Sequence, residues 1–469
     1  MLSKTDFLWY LDAPMHLWAR AHGQLEEKPS LYEQHLMKQG QQVEGLARQY
    51  LEGVILPEYQ QAELIWQRPF DNGKYEIRVD ALIHDQQANA YDLYEIKSAT
   101  SVKKDYEIDL TFQVLLLEEL LPLRQTTLVH INRDYQQGDR IDIKNYFTHE
   151  EISSRVAKRR KSVAALRDAA YATAQMPSPQ SDFACTKPQS CPCPALCHPN
   201  LPEHPVYDIP YIGKKAAELR EMGITAIQDI PQNFDLNPKQ RKHTRAAVTG
   251  KPVVDKPAIR GSLDSLKYPL YFLDYETFNP ALPLFPGYHP YEHIVFQYSL
   301  FRVDQPGSEP QHTDCLLTAP RDPAPEIVRH LLKDLGNSGA VIVWNQVFEA
   351  QRNKDLAIHC PGDAGRLLGI NERLYDLMKI FKDGHYVHPD FHGSASLKAV
   401  LPILCPNLKY EDLQISQGEE AMLAWYWIVT GRIPEKEIPD IQAALKAYCR
   451  LDTFGMIAIL NKLREIIRS

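Results

Sequence analysis

The stretch YFLDYETFNP, residues 271–280, places two carboxylates one residue apart inside an apolar run. Side chains on a β-strand point the same way at every second residue, so the pattern predicts a strand with Asp274 and Glu276 on one face. The three apolar residues before Asp274 would carry this strand into the interior of a sheet. Two buried carboxylates on one face repel each other unless a positive charge neutralises them, and a divalent metal ion is the obvious candidate. The alternative is an edge strand whose two acids face water.

The composition sets outer limits on the class of protein. The chain has 469 residues, of which 44% are hydrophobic and 24% charged, an ordinary globular composition sufficient for two to four domains. It contains no apolar run of the about 18 residues that a membrane span needs. The N-terminal MLSKTDFLWYLDAP has no basic leader followed by an apolar core, so we expect no secretory signal and a cytoplasmic location. The net charge of −8 argues against a protein that coats nucleic acid with its whole surface, but it is compatible with a nuclease whose active site is acidic.

Helical and strand-like stretches alternate in two separate regions, which predicts an α/β protein with two main domains. A Pro- and Cys-rich segment and a helical stretch lie between these regions. In the stretch IPYIGKKAAELREMGITAIQDIP, we predict two helices joined by a turn, with Gly213 and Gly223 as breakers. The predicted parts are an α/β domain at 1–180, a Cys-rich segment at 181–205, a helical linker at 206–262 and a second α/β domain at 263–469.

The first region contains a set of residues suited to phosphodiester cleavage. Asp80 ends the strand-like YEIRVD, and Glu95 and Lys97 lie two residues apart on one face of the next strand-like stretch. The two carboxylates would hold Mg²⁺ or Mn²⁺, which polarises the phosphate and lowers the pKa of the attacking water. The lysine would orient or deprotonate that water. Glu44, on the preceding predicted helix, adds a third carboxylate, and Gln113, on the following helix, would hold a phosphate or the lysine. The alternative for an E-x-K pair is a surface salt bridge.

The second region supplies further acids that could join Asp274 and Glu276. Glu349 follows a strand-like run in VIVWNQVFEAQ, at a predicted helix start, and Asp376 in LYDLMKIF is a reserve acid. The stretch LKAYCRLDTFGMIAIL predicts an amphipathic helix with Tyr448 and Asp452 on one face, since they are four residues apart. Carboxylates that bind two metal ions would stabilise the attacking and leaving oxygens of phosphodiester hydrolysis, while the tyrosine hydroxyl orients the water.

Four of the eight cysteines are crowded into one short segment. In a reducing compartment such crowding indicates metal or iron–sulfur ligation before disulfides. Four thiolates suit a [4Fe–4S] cluster or a tetrahedral Zn²⁺ ion equally well. The alternative is a loop with free thiols. The four residues are Cys185, Cys191, Cys193 and Cys197.

Two basic stretches are candidate contacts to nucleic acid. One is the run RVAKRRKS at 155–162, and the other lies in the predicted linker. The alternatives are a solvated helix face for the run and a plain connector for the linker. The basic residues concerned are Arg155, Lys158, Arg159, Arg160, Lys161, Lys214 and Lys215.

The residues of the first region resemble, in type and order, those of RecB-type PD-(D/E)XK nucleases, including CRISPR-associated ones. This resemblance implies a restriction-endonuclease-like fold for the first domain. Iron–sulfur members of that family carry one cysteine in a C-P pair near the N-terminus and three after the core. Cys185, Cys191 and Cys197 are similar to those three, whereas Ala13 stands before Pro14 where the first cysteine is expected. Cys193 is then a candidate fourth ligand.

The residues of the second region resemble the DEDDy exonucleases of RNase H-like fold, which implies that fold for the second domain. Glu349 stands where those enzymes usually carry an aspartate. GYHPYEHIVFQYSL and FHGSASLKAVLP also resemble an uncharacterised domain family that follows RecB-type nucleases in bacteria. The resemblance implies that FHGSASLK lies close to the site, with Lys398 as a contact to nucleic acid.

The two resemblances together imply a bacterial metal-dependent nuclease that acts on DNA in repair, recombination or defence against foreign DNA. DNA is favoured over RNA as the partner, and no membrane is involved. One alternative is a nucleic-acid-binding or scaffold protein with a catalytically weakened C-terminal domain. Another is an RNA-processing exonuclease, since neither set of residues reads the sugar.

Overall fold

The structure, a computed structural model, describes residues 1–25 and 28–469. The chain is mixed α/β and divides by its internal contacts into two compact units. Unit 1 comprises Met1–Asn200 and Pro280–Glu292, and unit 2 comprises Leu201–Asn279 and His293–Ser469. The four-part domain division remains a prediction. No helix in the described parts of the chain has both the length and the apolar character that a bilayer span requires.

Unit 1 alternates helices with short strands. Its helices are α1 Lys4–Asp12, α2 Pro14–Ala21, α3 Leu31–Tyr50, α4 Lys104–Leu120, α5 Ile143–Tyr146, α6 Ser153–Gln175 and α7 Pro194–Cys197. Its strands are β1 Leu2–Ser3, β2 Ala62–Trp66, β3 Pro69–Asp71, β4 Tyr75–Arg78, β5 Ala81–Asp85, β6 Ala90–Lys97, β7 Leu123–Ile131 and β8 Phe147–Glu151.

The main sheet of unit 1 has five strands in the order β2-β5-β6-β7-β8. Strands β6 and β7 run parallel with α4 as their crossover, and the other neighbours pair antiparallel. A smaller sheet has the order β1-β4-β3. Both faces of the main sheet are covered by apolar clusters, one including Leu93 and Phe112 and the other Val43 and Val129. Strand β6 is therefore buried along most of its length, and it carries Glu95 and Lys97.

Unit 2 is richer in helix. Its helices are α8 Lys214–Glu221, α9 Pro238–Thr249, α10 Lys256–Leu263, α11 Ala324–Asp334, α12 Gln346–His359, α13 Ala364–Asn371, α14 Lys379–Lys382, α15 Leu397–Leu404, α16 Gly418–Val429 and α17 Ile438–Arg468. Its strands are β9 Val253–Val254, β10 Leu270–Phe278, β11 Ile294–Val303, β12 Gln311–Leu316, β13 Ala340–Val343, β14 Leu374–Asp376 and β15 Tyr386–Val387.

The main sheet of unit 2 also has five strands, in the order β12-β11-β10-β13-β14. The first three form an antiparallel meander, whereas β13 and β14 run parallel to β10. Apolar side chains from α17 and α15 pack on one face and those from α11 on the other. Strand β10 is central and almost wholly buried, as the sequence predicts for residues 271–278.

Two predictions about local structure need correction. The linker contains α8, between Gly213 and Gly223, but no second α-helix follows in the predicted stretch. The backbone of residues 225–227 instead hydrogen-bonds to residues 204–206, and only a 3₁₀ turn, Ile227–Asp229, forms. Asp80 also lies outside a strand, because β4 ends at Arg78 and β5 begins at Ala81.

Candidate functional site

Unit 2 gathers five carboxyl groups beside the parallel strands β10, β13 and β14. They are contributed by two of these strands and by the helices α12 and α17. Each carboxyl interacts electrostatically with at least one other, and we refer to the group as the acidic cluster. Its members are Asp274, Glu276, Glu349, Asp376 and Asp452.

Strand β10 and helix α17 form the centre of the acidic cluster. The alternation of β10 places Asp274 and Glu276 on the same face, and the ladder with β11 shifts register immediately after Glu276. Cys449 of α17 packs against this face, with its Sγ 3.6 Å from Asp274 Oδ2. One ligand atom from each of Asp274, Glu276 and Cys449 lies within 4.8 Å of the others. Asp452 lies three residues beyond Cys449, so the two share one side of the helix.

Glu349 and Asp376 extend the acidic cluster, and each has one carboxylate oxygen that lacks a hydrogen-bond partner among the residues that the structure describes. Glu349 lies in the first turn of α12 and is 2% exposed, and Asp376 ends β14. Within the described residues, neither Glu349 Oε2 nor Asp376 Oδ1 has a hydrogen-bond partner. A buried acceptor without a partner is costly, so these oxygens fit a site that receives a cation.

The acidic cluster holds more negative charge than its surroundings neutralise. Burial, with repulsion from Asp452, raises the pKa of Asp274 well above its usual range. Burial and the neighbouring Asp274 and Asp452 do the same to the pKa of Glu276. Burial and Asp274 raise the pKa of Glu349, and burial raises that of Asp452 to about 6. A divalent cation bound here would relieve this repulsion.

Two tyrosines and a lysine border the acidic cluster. Tyr410 donates a hydrogen bond from its hydroxyl to Asp452 Oδ1. Tyr448 is buried, and burial together with the charge of Asp452 raises the pKa of its phenol, so it stays protonated. Lys398 lies with its Nζ 5.3 Å from the Tyr448 ring and donates to Ser416 O and Gln417 Oε1, both at 2.8 Å. Burial lowers the pKa of Lys398, while Asp452 and Glu276 oppose that shift.

Unit 1 contains a second polar site in which lysines balance the acids. Lys97 Nζ lies 2.8 Å from Glu95 Oε1 and 2.6 Å from Asp109 Oδ2. Gln113 of α4 donates to Glu95 Oε2 at 2.8 Å. Lys4, at the start of α1, is a second ammonium, 3.0 Å from Glu95 Oε1. We refer to these residues and Asp80 as the lysine–carboxylate site.

The charges of the lysine–carboxylate site shift the pKa values of Glu95 and Asp80 in opposite directions. Burial opposes ionisation of Glu95, but Lys4 and Lys97 outweigh burial and lower its pKa. Burial and repulsion by Glu95 raise the pKa of Asp80 to about 8, although its Oδ2 accepts from Ile96 N–H at 2.8 Å. Glu95 is therefore held ionised, whereas Asp80 is the carboxyl that gains most from an added cation.

Glu44 is linked to the backbone of Asp80 by hydrogen bonds through Gln67. The side-chain amide of Gln67 donates to Glu44 Oε1, and the main-chain N–H of Gln67 donates to the Asp80 carbonyl oxygen at 2.9 Å. Gln67 adopts a left-handed backbone with φ of 48°, which lets it make both bonds. Glu44 is half-buried on α3.

The basic run lies on α6, where its arginines are engaged by acids. Arg155 pairs with Glu150 at 3.2 Å, Arg159 pairs with Glu107, and Arg160 pairs with Glu118. These pairs favour the solvated helix face over a dedicated nucleic-acid contact. Lys158 and Lys161 are exposed on the same helix. In the linker, Lys214 begins α8 and Lys215 Nζ lies 2.7 Å from Asp235 Oδ2.

The four clustered cysteines come together in unit 1 with two histidines. Cys185, Cys193 and Cys197 are buried, and Cys191 is partly so. His16 Nε2 lies 3.5 Å from Cys191 Sγ, and His198 Nε2 lies 3.3 Å from Cys185 Sγ. We call these six residues the thiol–imidazole cluster, and burial raises the pKa of the Cys191 thiol to about 12. Its donor set of sulfur and imidazole nitrogen fits a zinc ion or an iron–sulfur cluster.

Sequence reasoning missed several residues that the structure brings into these sites. Cys449 and Asp109 could have been predicted from helical spacing. Cys449 lies on the same helical face as Asp452, and Asp109 lies on the same helical face as Gln113. Lys4, Tyr410 and His16 could not be predicted, because their partners are distant in sequence, whereas His198 directly follows Cys197 in the Cys-rich segment.

The comparisons with known proteins match only part of the chain. Residues 271–396, which include Asp274, Glu276 and Glu349, match the family described as a domain of unknown function, DUF2779. The uncharacterized protein MG366 homolog of Mycoplasma pneumoniae is 25% identical over 219 residues, covering 43% of this chain and 33% of that protein. The uncharacterized protein MG366 of Mycoplasma genitalium is 22% identical over 227 residues, covering 45% of this chain and 34% of that protein.

The chain therefore spans about a third of the length of these curated relatives. Among solved structures, the crystal structure of SSO0001 aligns with 43% of this chain and 86% of its own, at 16% identity and a TM-score of 0.21.

Proposed function

We propose that this protein is a bacterial metal-dependent nuclease that hydrolyses phosphodiester bonds of DNA, with one candidate site in each unit. The observation that carries the proposal is the acidic cluster of unit 2, where buried carboxyls repel one another and two of their oxygens lack partners. Such an arrangement is unfavourable for stability alone and suits the binding of divalent metal ions.

The topology of unit 2 supports an RNase H-like assignment of DEDDy type. Numbered from β10, its sheet has the order 3-2-1-4-5, with an antiparallel meander followed by two parallel strands. This is the order expected of that fold. Asp274 and Glu276 lie on the first strand and Asp452 on the last long helix, which is where the resemblance expects them.

The topology of unit 1 supports a PD-(D/E)XK assignment in a similar way. A helix, an antiparallel set of strands, a crossover helix and a parallel strand follow one another as α3, β2, β5, β6, α4 and β7. Asp80 precedes β5, Glu95 and Lys97 lie on β6, and Gln113 lies on α4.

The residues in and around the acidic cluster would have different roles in hydrolysis. Asp274, Glu276, Asp452 and Glu349 would hold Mg²⁺ or Mn²⁺, which activates water and neutralises developing charge when bound. Tyr448 keeps its proton and would donate a hydrogen bond that orients the attacking water. Lys398, on the edge of the cluster, would pair with a phosphate oxygen and hold the strand in place.

In unit 1, Asp80 and Glu95 would bind the metal ion and Lys97 would stabilise charge on the phosphate. Lys97 remains protonated, since burial is outweighed by Glu95 and Asp109, which raise its pKa. In the metal-free site Lys97 is therefore a cation. The thiol–imidazole cluster would hold a zinc ion or a [4Fe–4S] cluster as a structural element.

The test is degradation of end-labelled single- and double-stranded DNA and RNA by the full chain in Mg²⁺ or Mn²⁺. We expect degradation that chelation abolishes. Asp274→Asn should lower the activity of the unit 2 site, and Lys97→Ala that of the unit 1 site, each by at least about 100-fold. The double variant should be inactive, and the exposed Asp412→Asn should match the wild type. A well-folded wild-type protein that degrades no substrate with either metal ion would refute the proposal.

A second candidate is a nucleic-acid-binding protein with a catalytically weakened unit 2. The observation that favours it is Glu349, whose longer side chain stands where these enzymes carry aspartate and is enclosed at 2% exposure. In that case Asp274→Asn would leave degradation unchanged while DNA binding persists. Degradation of RNA alone would instead favour the RNA-processing alternative.

A further inference from the structure

The thiol–imidazole cluster contains a histidine at the place where a cysteine is missing. Ala13, which stands where related iron–sulfur nucleases carry their first cysteine, packs among the cysteines at 3% exposure. His16 follows one turn later on α2 and is 1% exposed. A buried imidazole that faces buried thiols from a segment about 170 residues away in sequence needs an explanation.

The distances in the cluster fit the coordination shell of one small ion. Cys193 Sγ and Cys197 Sγ are 3.8 Å apart, and His16 Nε2 is 3.5 Å from Cys191 Sγ. Ligand atoms of these four residues all lie within 4.8 Å of one another. In a tetrahedron with Zn–S of about 2.3 Å and Zn–N of about 2.0–2.1 Å, the S–S edge is about 3.8 Å and the N–S edge about 3.5 Å.

The same distances argue against a four-iron cluster. In such a cluster each thiolate binds a different iron at the corner of an iron–sulfide cube, so the thiolate sulfurs lie farther apart than the ligands of one ion. The 3.8 Å between Cys193 Sγ and Cys197 Sγ is the spacing of two ligands on one metal.

A carboxylate lies beside the ring nitrogen of His16 that does not face the thiols. Asp12 Oδ2 lies 2.6 Å from His16 Nδ1, which leaves Nε2 facing the thiols. Metal-binding histidines commonly direct their second ring nitrogen at a carboxylate, which fixes the tautomer and strengthens the ligand. Cys185 also lies within hydrogen-bonding range of His16 and Cys197, but the group that it forms with Cys191 and His198 offers three ligands instead of four.

We infer that unit 1 holds a single Zn²⁺ ion bound by the His16 imidazole and by the thiolates of Cys191, Cys193 and Cys197. Cys185 and His198 lie outside this shell. The inference is independent of the proposed nuclease activity, because it rests on a different part of the chain. It also differs from the ligand set that the family resemblance implies, in which Cys185 is essential and Cys193 is an extra thiol.

The experiment is metal analysis and X-ray absorption of the full chain, purified anaerobically. We expect one zinc per chain, a first shell of three sulfurs and one nitrogen, and no broad visible absorption. Zinc should fall at least tenfold in His16→Ala and Cys193→Ser but stay stoichiometric in Cys185→Ser. His22→Ala is the matched control, since His22 is an exposed histidine stacked on Trp18 beside the same helix.

A variant that fails to fold would be ambiguous, so His16→Cys completes the set. It should keep the zinc and change the first shell to four sulfurs, which a merely structural histidine would not do. Cys315→Ser, at a buried thiol of unit 2, should leave both zinc content and melting temperature near wild type. Iron and sulfide in place of zinc, a four-sulfur shell in the wild type, or loss of zinc in Cys185→Ser but not in His16→Ala would each overturn the inference.

Discussion

Asp452 is a member of the acidic cluster whose pKa is raised to about 6. It is 9% exposed and accepts a hydrogen bond from the Tyr410 hydroxyl, while Lys398 adds a favourable charge. These contacts only partly offset burial, so its pKa rises from 3.8 to about 6. If the acidic cluster binds a metal ion, as we propose, Asp452 would exchange its proton for that ion at a pH near 6.

Replacing Asp452 by asparagine should raise the stability of the metal-free protein at high pH. Because the folded carboxyl binds its proton more tightly than the unfolded one, the wild type loses stability as pH rises from about 4 to about 6. A shift from 3.8 to about 6 corresponds to about 3 kcal/mol of unfolding free energy at pH 8. Asp452→Asn removes this loss, so its gain over wild type should be larger at pH 8 than at pH 5.

The measurement is denaturant unfolding in chelator at the two pH values. Asp412→Asn, at an exposed aspartate, is the control and should gain nothing at either pH. A gain for Asp452→Asn that is equal at both pH values would contradict the ionisation argument.

Glu349 should respond differently to a shorter acid and to a neutral isostere. If its carboxylate binds a metal ion, Glu349→Asp keeps the charge and Glu349→Gln removes it. We expect the Mn²⁺-induced rise in unfolding free energy to persist in the former and to fall by about 1.4 kcal/mol or more in the latter, the effect of a tenfold loss of affinity. Thermal melts across a Mn²⁺ titration measure this, with the exposed Glu372→Gln as control. Identical titrations for the wild type and Glu349→Gln would exclude Glu349 as a ligand.

Helix α17 contributes three side chains to the candidate site of unit 2. It is 31 residues long, and Tyr448, Cys449 and Asp452 lie on the side that faces β10. Gly455, one turn later, permits close packing against α15, the helix that carries Lys398. A Cβ on Gly455 would lie 2.8 Å from Leu401 Cδ2, which is too close for any real contact. The approach of these two helices thus sets the position of Asp452 relative to Lys398.

A methyl group at Gly455 should therefore disturb the site as well as the packing. We expect Gly455→Ala to lower the unfolding free energy by about 1–3 kcal/mol through overpacking and to weaken the Mn²⁺-induced stabilisation. Gly261→Ala, in α10 with no neighbour within 4 Å, is the matched control and should be neutral or stabilising by up to about 1 kcal/mol. Adding Leu401→Ala to Gly455→Ala should restore metal binding. If Gly455→Ala binds Mn²⁺ as well as Gly261→Ala does, the helix spacing does not set the site.

Periodicity in the sequence predicted the elements but not all of their ends. The alternation in residues 271–278 predicted β10, and the four-residue spacing of Tyr448 and Asp452 predicted a shared helical face. Asp80 was placed in a strand because YEIRVDALIHD alternates throughout. Its side chain instead accepts the main-chain N–H of Ile96, so the chain bends there and β4 and β5 enter different sheets.

Contacts between residues that are distant in sequence could not be predicted from local patterns. His16 meets its thiols only because α2 packs against the Cys-rich segment, and nothing near His16 in sequence indicates it. Lys4 similarly reaches Glu95 across the unit 1 fold. A metal site built within one element can be predicted from spacing, whereas one assembled from several elements requires the fold.

The two candidate sites of the molecule differ in their balance of positive and negative groups. The lysine–carboxylate site carries Lys4 and Lys97 against Asp80, Glu95 and Asp109. The acidic cluster has five carboxyls, and the cations that oppose them are Lys398, Arg352 and Lys379. Metal-induced stabilisation of the full chain should arise mainly from unit 2.

Unit 1 is not continuous in sequence, and this leads to a prediction about how the chain can be divided. The segment Pro280–Glu292 belongs to unit 1, although the residues on either side of it belong to unit 2. Within unit 1, Ala281 is fully buried, its N–H donates to Gln39 Oε1 at 2.8 Å and its carbonyl accepts from Tyr146 Oη at 3.0 Å. Tyr291 donates to Ser98 O at 2.6 Å.

A fragment of residues 1–200 should therefore be less stable than unit 1 in the full chain, even though it contains every residue of the lysine–carboxylate site and the thiol–imidazole cluster. It lacks the buried apolar surface of Ala281 and the three hydrogen bonds to Gln39, Tyr146 and Ser98, a loss of about 2–4 kcal/mol. For about 200 residues this lowers the melting temperature by roughly 4–16 °C. Fusing residues 280–292 to the fragment through a flexible Gly/Ser linker should recover most of the difference, and a scrambled segment of the same composition should not. Equal melting of the fragment with and without residues 280–292 would mean that unit 1 is complete without this segment, and that the chain can be divided after residue 200.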